Sequence, residues 1–257
     1  MCETCGCSIP DHAHPEPADT HTVDVLKGLM SSNDHAAEHN REHFDRAGTL
    51  VVNLMSSPGA GKTRLLEQTA AALDGRLNIA VIEGDLETEN DAERLRRGGI
   101  RAHQITTGSA CHLDAHLIHQ ALHEFPLVHD EKPVDVLFVE NVGNLVCPAA
   151  FDLGQHLNVV LLSTTEGDDK PAKYPVMFRA ADLVVVSKCD LLPMLDDFSL
   201  ERAKASLKGL GNETPVVQAA AGRQIEIGEW VEWLEQKRSE HLPVSASPHR
   251  AEAATVA

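Results

Sequence analysis

Three cysteines lie within the first seven residues, MCETCGC. Chain ends are usually mobile and solvated, so Cys2, Cys5 and Cys7 are poorly placed to build a core. Disulfide pairing would leave one of the three over. Three soft thiolates in one short loop are, however, good ligands for a late transition metal. The same chemistry recurs further on, where Cys111 and His112 open a predicted helix and Cys147 follows on a separate segment. Two cysteines and a histidine supply three of the four ligands of a tetrahedral site, leaving room for water, another side chain or a neighbouring subunit. An arbitrary pair of this kind reads more simply as two buried thiols and an incidental histidine. What favours a metal here is that a nucleotide-sensing segment runs into Cys147, so a bound ion would feel nucleotide state through a short piece of backbone.

That nucleotide site is announced by SSPGAGKT, residues 56–63, directly after an apolar run. Gly59 and Gly61, flanking Ala60, let the backbone curl so that its N–H groups face phosphate oxygens. Lys62 would reach the β- and γ-phosphates, and the Thr63 hydroxyl would bind Mg²⁺. The helix that follows points its positive end at the same place. Ser56 stands where a glycine is usual. Asp85, in VIEGDLETEND, is placed to hold Mg²⁺ directly or through water. In VLFVENVGNLVC, Glu140 stands where many such proteins carry Asp, and the Gly143 N–H would sense a γ-phosphate. These carboxylates could merely cap loops, but open α/β sheets bind ligands at the C-terminal ends of their strands, which favours function. SKCD, residues 187–190, is the expected base selector. Asp190 can accept two hydrogen bonds from guanine, and the stem of Lys188 would lie along the base. GTP is therefore expected over ATP, although Ser187 replaces the familiar Asn. Cys189 is expected to face the core rather than bind metal.

Positioning these groups requires a particular scaffold. Apolar runs TLVVNLMS, NIAVIEGD, VDVLFVEN, LNVVLLST, DLVVVSK and PVVQA alternate with helical patterns such as KTRLLEQTAAALDG and CHLDAHLIHQALHEF. Nearly continuous Val, Leu and Ile indicate parallel strands buried on both faces. The order predicts an α/β fold, a doubly wound, mostly parallel sheet with helices on both faces. Three regions are expected: a Cys/His-rich arm over 1–48, a P-loop GTPase domain over 49–240, and a disordered tail over 241–257. DHAAEHNREHFDR would place His35, His39 and His43 on one helical face, solvent-facing or weakly docked. His112, His116, His119 and His123 share a face in the same way, the last three as a partly exposed polar surface.

The formal net charge of −17 in 257 residues argues against a nucleic-acid binder and against docking on anionic lipid. No apolar run is long enough to span a membrane, and the N-terminus lacks the pattern of a secretory signal. Six cysteines, irregularly placed, do not make a disulfide scaffold, so a reducing, cytoplasmic setting is expected.

Taken together, MCETCGC, NLMSSPGAGKTRLLE, VIEGDLETENDA, TGSACHLDA, VENVGNLVCPA, TEGDDKPAKYP and SKCDLLP resemble the hydrogenase nickel-incorporation GTPases, the HypB family, over nearly the whole chain. Ser56 is itself the form that family shows. The resemblance implies a nickel metallochaperone that hydrolyses GTP slowly, there being no evident catalytic Gln or Arg finger. It implies a tight nickel site at Cys2, Cys5 and Cys7, which with the α-amine would complete a square plane suited to Ni²⁺. It implies a second site, for nickel or zinc, at Cys111, His112 and Cys147 near a dimer interface, and places Lys170 near the nucleotide. The implied partners are the apo-hydrogenase large subunit, other maturation or nickel-delivery proteins, and a second copy of the chain in a nucleotide- or metal-linked homodimer. Two other readings stand beside it: a nickel store, and an accessory G protein for another nickel enzyme such as urease, whose usual Cys-Pro-His motif is absent. QAAAG at 218–222 lacks the Ser-Ala-Lys pattern that helps hold guanine, leaving selectivity to Asp190.

Overall fold

The computed structural model describes residues 20–85, 89–108, 110–127, 133–222 and 225–241, with side chains from residue 28 onward. Cys2, Cys5 and Cys7 and the expected tail beyond 241 lie outside the described residues. Seven parallel strands form one sheet in the order β3-β2-β4-β1-β5-β6-β7. They are β1 (Leu50–Ser56), β2 (Ile79–Asp85), β3 (Arg101–Thr106), β4 (Val136–Glu140), β5 (Leu157–Ser163), β6 (Leu183–Ser187) and β7 (Val216–Gln218). The helices are α1 (Thr20–Ala47), α2 (Lys62–Leu73), α3 (Asn90–Arg97), α4 (Ala115–Glu124), α5 (Lys170–Lys173), α6 (Pro175–Arg179), α7 (Leu200–Gly209) and α8 (Gly228–His241).

Successive strand residues point to opposite faces, and both faces are dry. Leu50, Val52 and Leu54 of β1 pack with Leu65, Leu66 and Leu73 of α2 and with Trp230 and Leu234 of α8. Val51 lies on the other side, with Phe44 of α1 and Ile118 and Leu122 of α4. Further along that face, Met55 joins Phe178 of α6 and Leu207 of α7. The chain reverses direction across the sheet between β1 and β4, so the loops after β1, β2 and β4 open on one edge, where such sheets hold ligands. Strand β3, RAHQIT, was not among the expected runs. It is an edge strand in which four polar residues leave only Ala102 and Ile105 apolar, one on each face, so it lacks the continuous apolar signature of its neighbours.

Helix α1 departs from the weak docking expected of it. Its histidine face is exposed, but Asn33, Ala37, Asn40 and Phe44 recur at helical spacing and are buried. Asn40 Nδ2 donates to the carbonyls of Ala115 and Leu153 at 2.8 and 3.1 Å. Asn33 Nδ2 donates to the Asp152 carbonyl at 2.9 Å, while its Oδ1 accepts from the Ala115 N–H at 2.9 Å. Arg41 grips both Asp152 carboxylate oxygens at 2.9 and 2.7 Å. Two buried amides bonded to backbone groups of the α4 start and of the segment before β5 fix the register of α1 where an apolar stripe would only have held it loosely.

The C-terminal end of α1 is fixed by His156. The Val51 N–H donates to His156 Nδ1 at 2.9 Å, so the neutral ring carries its proton on Nε2, facing Asp45 Oδ1 at 3.1 Å. Burial pushes the His156 pKa down to about 4, the neighbouring His241 charge adding to it and Asp45 pulling the other way. Between pH 4 and about 6.5 the folded chain thus binds fewer protons here than the unfolded chain. This contribution is complete above the unfolded pKa and is lost as pH falls towards 4. Denaturant titrations should show about 2 kcal/mol less stability at pH 4.5 than at pH 7 from this residue. His156→Gln should flatten that slope, and an unchanged slope would contradict the assignment.

Candidate functional site

The loop between β1 and α2 turns on two left-handed glycines, Gly59 at φ +74° and Gly61 at φ +98°. It opens into a cleft of about 390 Å³ lined by Gly59, Gly61, Lys62, Thr63, Asp85, Glu140 and Gly143. Ala60 is buried behind the loop. Lys62 Nζ donates to Ser56 Oγ at 3.0 Å, so the serine at the irregular first position holds the lysine head in the loop. Gly143 belongs to the segment leaving β4 and lies directly against the loop. A Cβ there would stand 2.9 Å from both N and Cα of Pro58. Only glycine permits that approach without moving backbone.

Two acids meet at the floor of the cleft. Glu83 and Glu140 are register partners on β2 and β4, only 3% and 4% exposed. Thr63 Oγ1 donates to Glu140 Oε1 at 2.9 Å, while Glu140 Oε2 and Glu83 Oε2 have no hydrogen-bond partner among the described residues. Burial raises the Glu83 pKa to about 8, with the charges of Glu140, Asp85 and Asp91 adding to it and Lys62 opposing. Burial likewise raises Glu140 to about 7, against the pull of Lys62 and the Thr63 hydroxyl. Two buried carboxyls beside one ammonium leave two oxygens without partners at a cleft, and on giving up their protons they make a donor set that fits a hard divalent cation such as Mg²⁺. Glu83 escaped the sequence reading; its signal was a lone acid inside an otherwise apolar strand. Asp91 and Arg94 of α3 also line this cleft. Arg94 is held there by a fork of two 2.6 Å bonds to Glu67.

The segment after β4 runs from these acids to the thiols. Asn141 Oδ1 accepts from the Leu113 N–H at 3.2 Å, and Asn144 Nδ2 donates to the Cys111 carbonyl at 3.2 Å. Cys111 Sγ lies 3.2 Å from Cys147 Sγ and 3.7 Å from His112 Nδ1. The three possible ligand atoms are all within 4.8 Å of one another. His112 stacks on Phe151 at 4.1 Å between ring centroids, and burial lowers its pKa, which favours the neutral imidazole that ligates metals. Cys111 is exposed, so the group is open on one side. The expected cluster of Cys111, His112 and Cys147 is therefore brought together. A second grouping, Asp45, His156 and His241, is less suited to an ion, because Val51 already occupies the free nitrogen of His156.

The base-selector residues take up a separate place. Ser187 Oγ donates to the Ala60 carbonyl at 2.7 Å, a buried bond tying the end of β6 to the phosphate loop. Ser187 thus has a structural use that its departure from Asn had obscured. Lys188 adopts φ +58°, and its Nζ lies 3.4 Å from Thr165 Oγ1. Asp190 lines a second cleft of about 540 Å³ together with Ala219 and Ala220 of QAAAG. A Cβ on Gly222 would come within 2.8 Å of Asp190 Oδ2, so this segment passes directly beside the selector despite its unfamiliar sequence. Cys189 is half-buried against the core, as expected, with its Sγ 3.1 Å from the Val186 carbonyl. Lys170 lines neither cleft and lies 5.3 Å from the Tyr174 ring centroid.

A phosphate loop at the head of a parallel sheet, with acids on the neighbouring strand ends, defines a P-loop nucleotide-binding protein. The CobW/HypB/UreG nucleotide-binding domain model matches residues 50–218. The chain is 45% identical over 234 residues to hydrogenase maturation factor HypB of Azotobacter vinelandii, covering 91% of this chain and 76% of the relative. It is 46% identical over 220 residues to hydrogenase/urease maturation factor HypB of Helicobacter hepaticus, covering 86% and 90%. Among solved structures, HypB from Helicobacter pylori in complex with nickel superposes with a TM-score of 0.76 at 40% identity, covering 84% of this chain and 99% of that one. HypB from Archaeoglobus fulgidus superposes at 0.73 with 38% identity, covering 81% and 99%. The chain belongs to the HypB family of hydrogenase maturation factors.

Removing the Ser187 hydroxyl leaves the buried Ala60 carbonyl unpaired, which costs about 1–2 kcal/mol. Ser187→Ala should therefore loosen the phosphate loop, with amide exchange at Ala60 and Gly61 about tenfold faster. Unchanged exchange would show that the tie does not hold the loop.

Proposed function

We propose that this protein is a GTP-hydrolysing nickel metallochaperone that helps deliver Ni²⁺ to the [NiFe]-hydrogenase large subunit during maturation. The observation that carries the reading is the continuity of residues 140–147. Glu140 faces the cleft, Gly143 lies on the phosphate loop, Asn144 holds the Cys111 carbonyl, and Cys147 faces Cys111. The names of the relatives and the nickel complex of the Helicobacter pylori protein support the same reading.

In this account the loop N–H groups and Lys62 hold the GTP phosphates, and Asp190 and Lys188 hold the guanine. Thr63, Glu83, Asp85 and Glu140 would hold Mg²⁺, which supplies positive charge against the phosphates. Gly143 responds to the γ-phosphate through its N–H. Loss of that contact on hydrolysis frees the segment that carries Asn144 and Cys147. Nickel is cargo, bound at Cys111, His112 and Cys147 and handed to a partner as that geometry changes. Cys2, Cys5 and Cys7 would be the tight loading site. Zinc is a competing occupant of the inner site, since Cys₂His is equally a zinc donor set. Partners would include other maturation or nickel-delivery proteins and a second copy of the chain, with Lys170 reaching the nucleotide of that copy. The Helicobacter hepaticus relative's hydrogenase/urease name favours urease maturation as a second reading of the same chemistry.

The test is nickel titration of the full chain carrying Cys2→Ala, Cys5→Ala and Cys7→Ala, with GDP or a non-hydrolysable GTP analogue. Coupling of about 1 kcal/mol predicts roughly fivefold different nickel affinity in the two states. Asn144→Ala should shrink the difference, and Cys147→Ser should abolish the site. Equal affinity in both nucleotide states would contradict the switch. In cells, Lys62→Ala should abolish hydrogenase maturation; a variant that still supported it would indicate a nickel store instead.

A further inference from the structure

The histidine faces of α1 and α4 meet along the seam that Asn33 and Asn40 hold in register. On α4, His119 and His123 are one helical turn apart, with Nε2 atoms 3.3 Å from each other and rings at 84°. On α1, His39 and His43 repeat the same spacing, with ring centroids 6.3 Å apart. The two pairs face each other, the His39 ring lying edge-on to His119 at 5.1 Å. His116 completes the row, its Nε2 3.2 Å from Ser32 Oγ. Among the described residues no carboxylate forms an ion pair with any of these five. The rings are exposed except His119, which is half-buried at the seam.

Like charges this close disfavour protonation. Burial lowers the His119 pKa, and the charges His123, His39, His43 and His116 would carry lower it further. His119 is therefore favoured as the neutral imidazole, the form with a free lone pair. Two nitrogens, each about 2.0–2.1 Å from one tetrahedral ion, stand roughly 3.3–3.4 Å apart. The His119–His123 separation matches that value, and the facing helix offers a third and fourth nitrogen from exposed rings free to change rotamer.

We propose that His119 and His123, with His39 and His43 across the seam, form a further metal site for a borderline divalent cation such as Ni²⁺ or Zn²⁺. One ion would join α1 to α4. It would sit on the helix that begins immediately after His112 and Leu113, and on the helix that leads back towards the N-terminal cysteines. The site uses no nucleotide and no thiol, so it does not depend on the proposed switch.

The experiment uses the full chain with Cys2, Cys5, Cys7, Cys111 and Cys147 all changed to Ala, titrated with Ni²⁺ and separately with Zn²⁺ by calorimetry. Thermal unfolding is followed with and without metal. Histidines elsewhere are retained in every variant as a constant background. The expected result is one equivalent bound above that background and a metal-dependent rise in Tm of several degrees. His119→Gln with His123→Gln should weaken binding at least tenfold, and His39→Gln with His43→Gln should do the same and remove the Tm rise. His39, His43 and His123 are exposed and His119 is only half-buried, so the metal-free variants should keep a Tm close to the parent's. Binding unchanged in the fourfold variant would overturn the site, leaving the 3.3 Å contact as a plain N–H···N hydrogen bond. Binding lost with the α4 pair but indifferent to the α1 pair would overturn the bridge between helices.

Discussion

Glu83 and Glu140, buried side by side at the ends of neighbouring strands, impose the constraint on which the rest of the site depends. Each is nearly shielded from water, and Lys62 is the ammonium that opposes both. A pair of carboxylates in that setting either takes up protons or receives a cation. The burial that makes them costly to ionise also makes them responsive to what enters the cleft. The segment leaving Glu140 packs Gly143 against the phosphate loop and is hydrogen-bonded through Asn141 and Asn144 to the Cys111–Leu113 stretch that precedes α4. A change at the acids therefore has a short, hydrogen-bonded route to the thiols.

That route has little slack. Gly143 fits against Pro58 only because it lacks a side chain, Asn141 caps the Leu113 N–H, and Asn144 holds the Cys111 carbonyl. None of these contacts lies within the seven parallel strands, which act as a fixed frame. The loops at the strand ends are the parts able to take two arrangements, which is what a switch requires. Helix α1 extends the frame on the other side. Its paired Asn33 and Asn40 clamp it on α4, so the histidine-bearing surface is as well positioned as the cleft.

Much of this was legible from residue order, for physical reasons that differ by element. Central strands such as β4, VLFVE, are buried on both faces and so read as unbroken apolar runs. The phosphate loop was legible because glycines, a lysine and a threonine at this spacing directly after a buried strand form a pattern that packing alone does not call for. Cys111, His112 and Cys147 were legible as a donor set, and the fold brings their ligand atoms within 4.8 Å. The docking of α1 was not legible, because two of the four positions buried among its described residues are asparagines, which ordinarily face water. Ser187 read as a weakened base motif, since its partner is a backbone carbonyl 127 residues away, invisible in local sequence. Glu83 was missed for the opposite reason: a single acid in an apolar strand has meaning only beside the acid on the next strand.

The central claim is that nucleotide and metal share one free-energy coupling through residues 140–147. Linkage requires the coupling to act in both directions with the same factor. The most direct measurement is the affinity of a non-hydrolysable GTP analogue relative to GDP, with and without nickel saturating the Cys111, His112 and Cys147 site, in a chain whose N-terminal cysteines are replaced. The account predicts that nickel changes this ratio by the same factor by which the analogue changes nickel affinity, about fivefold. A ratio identical in the presence and absence of nickel would contradict it.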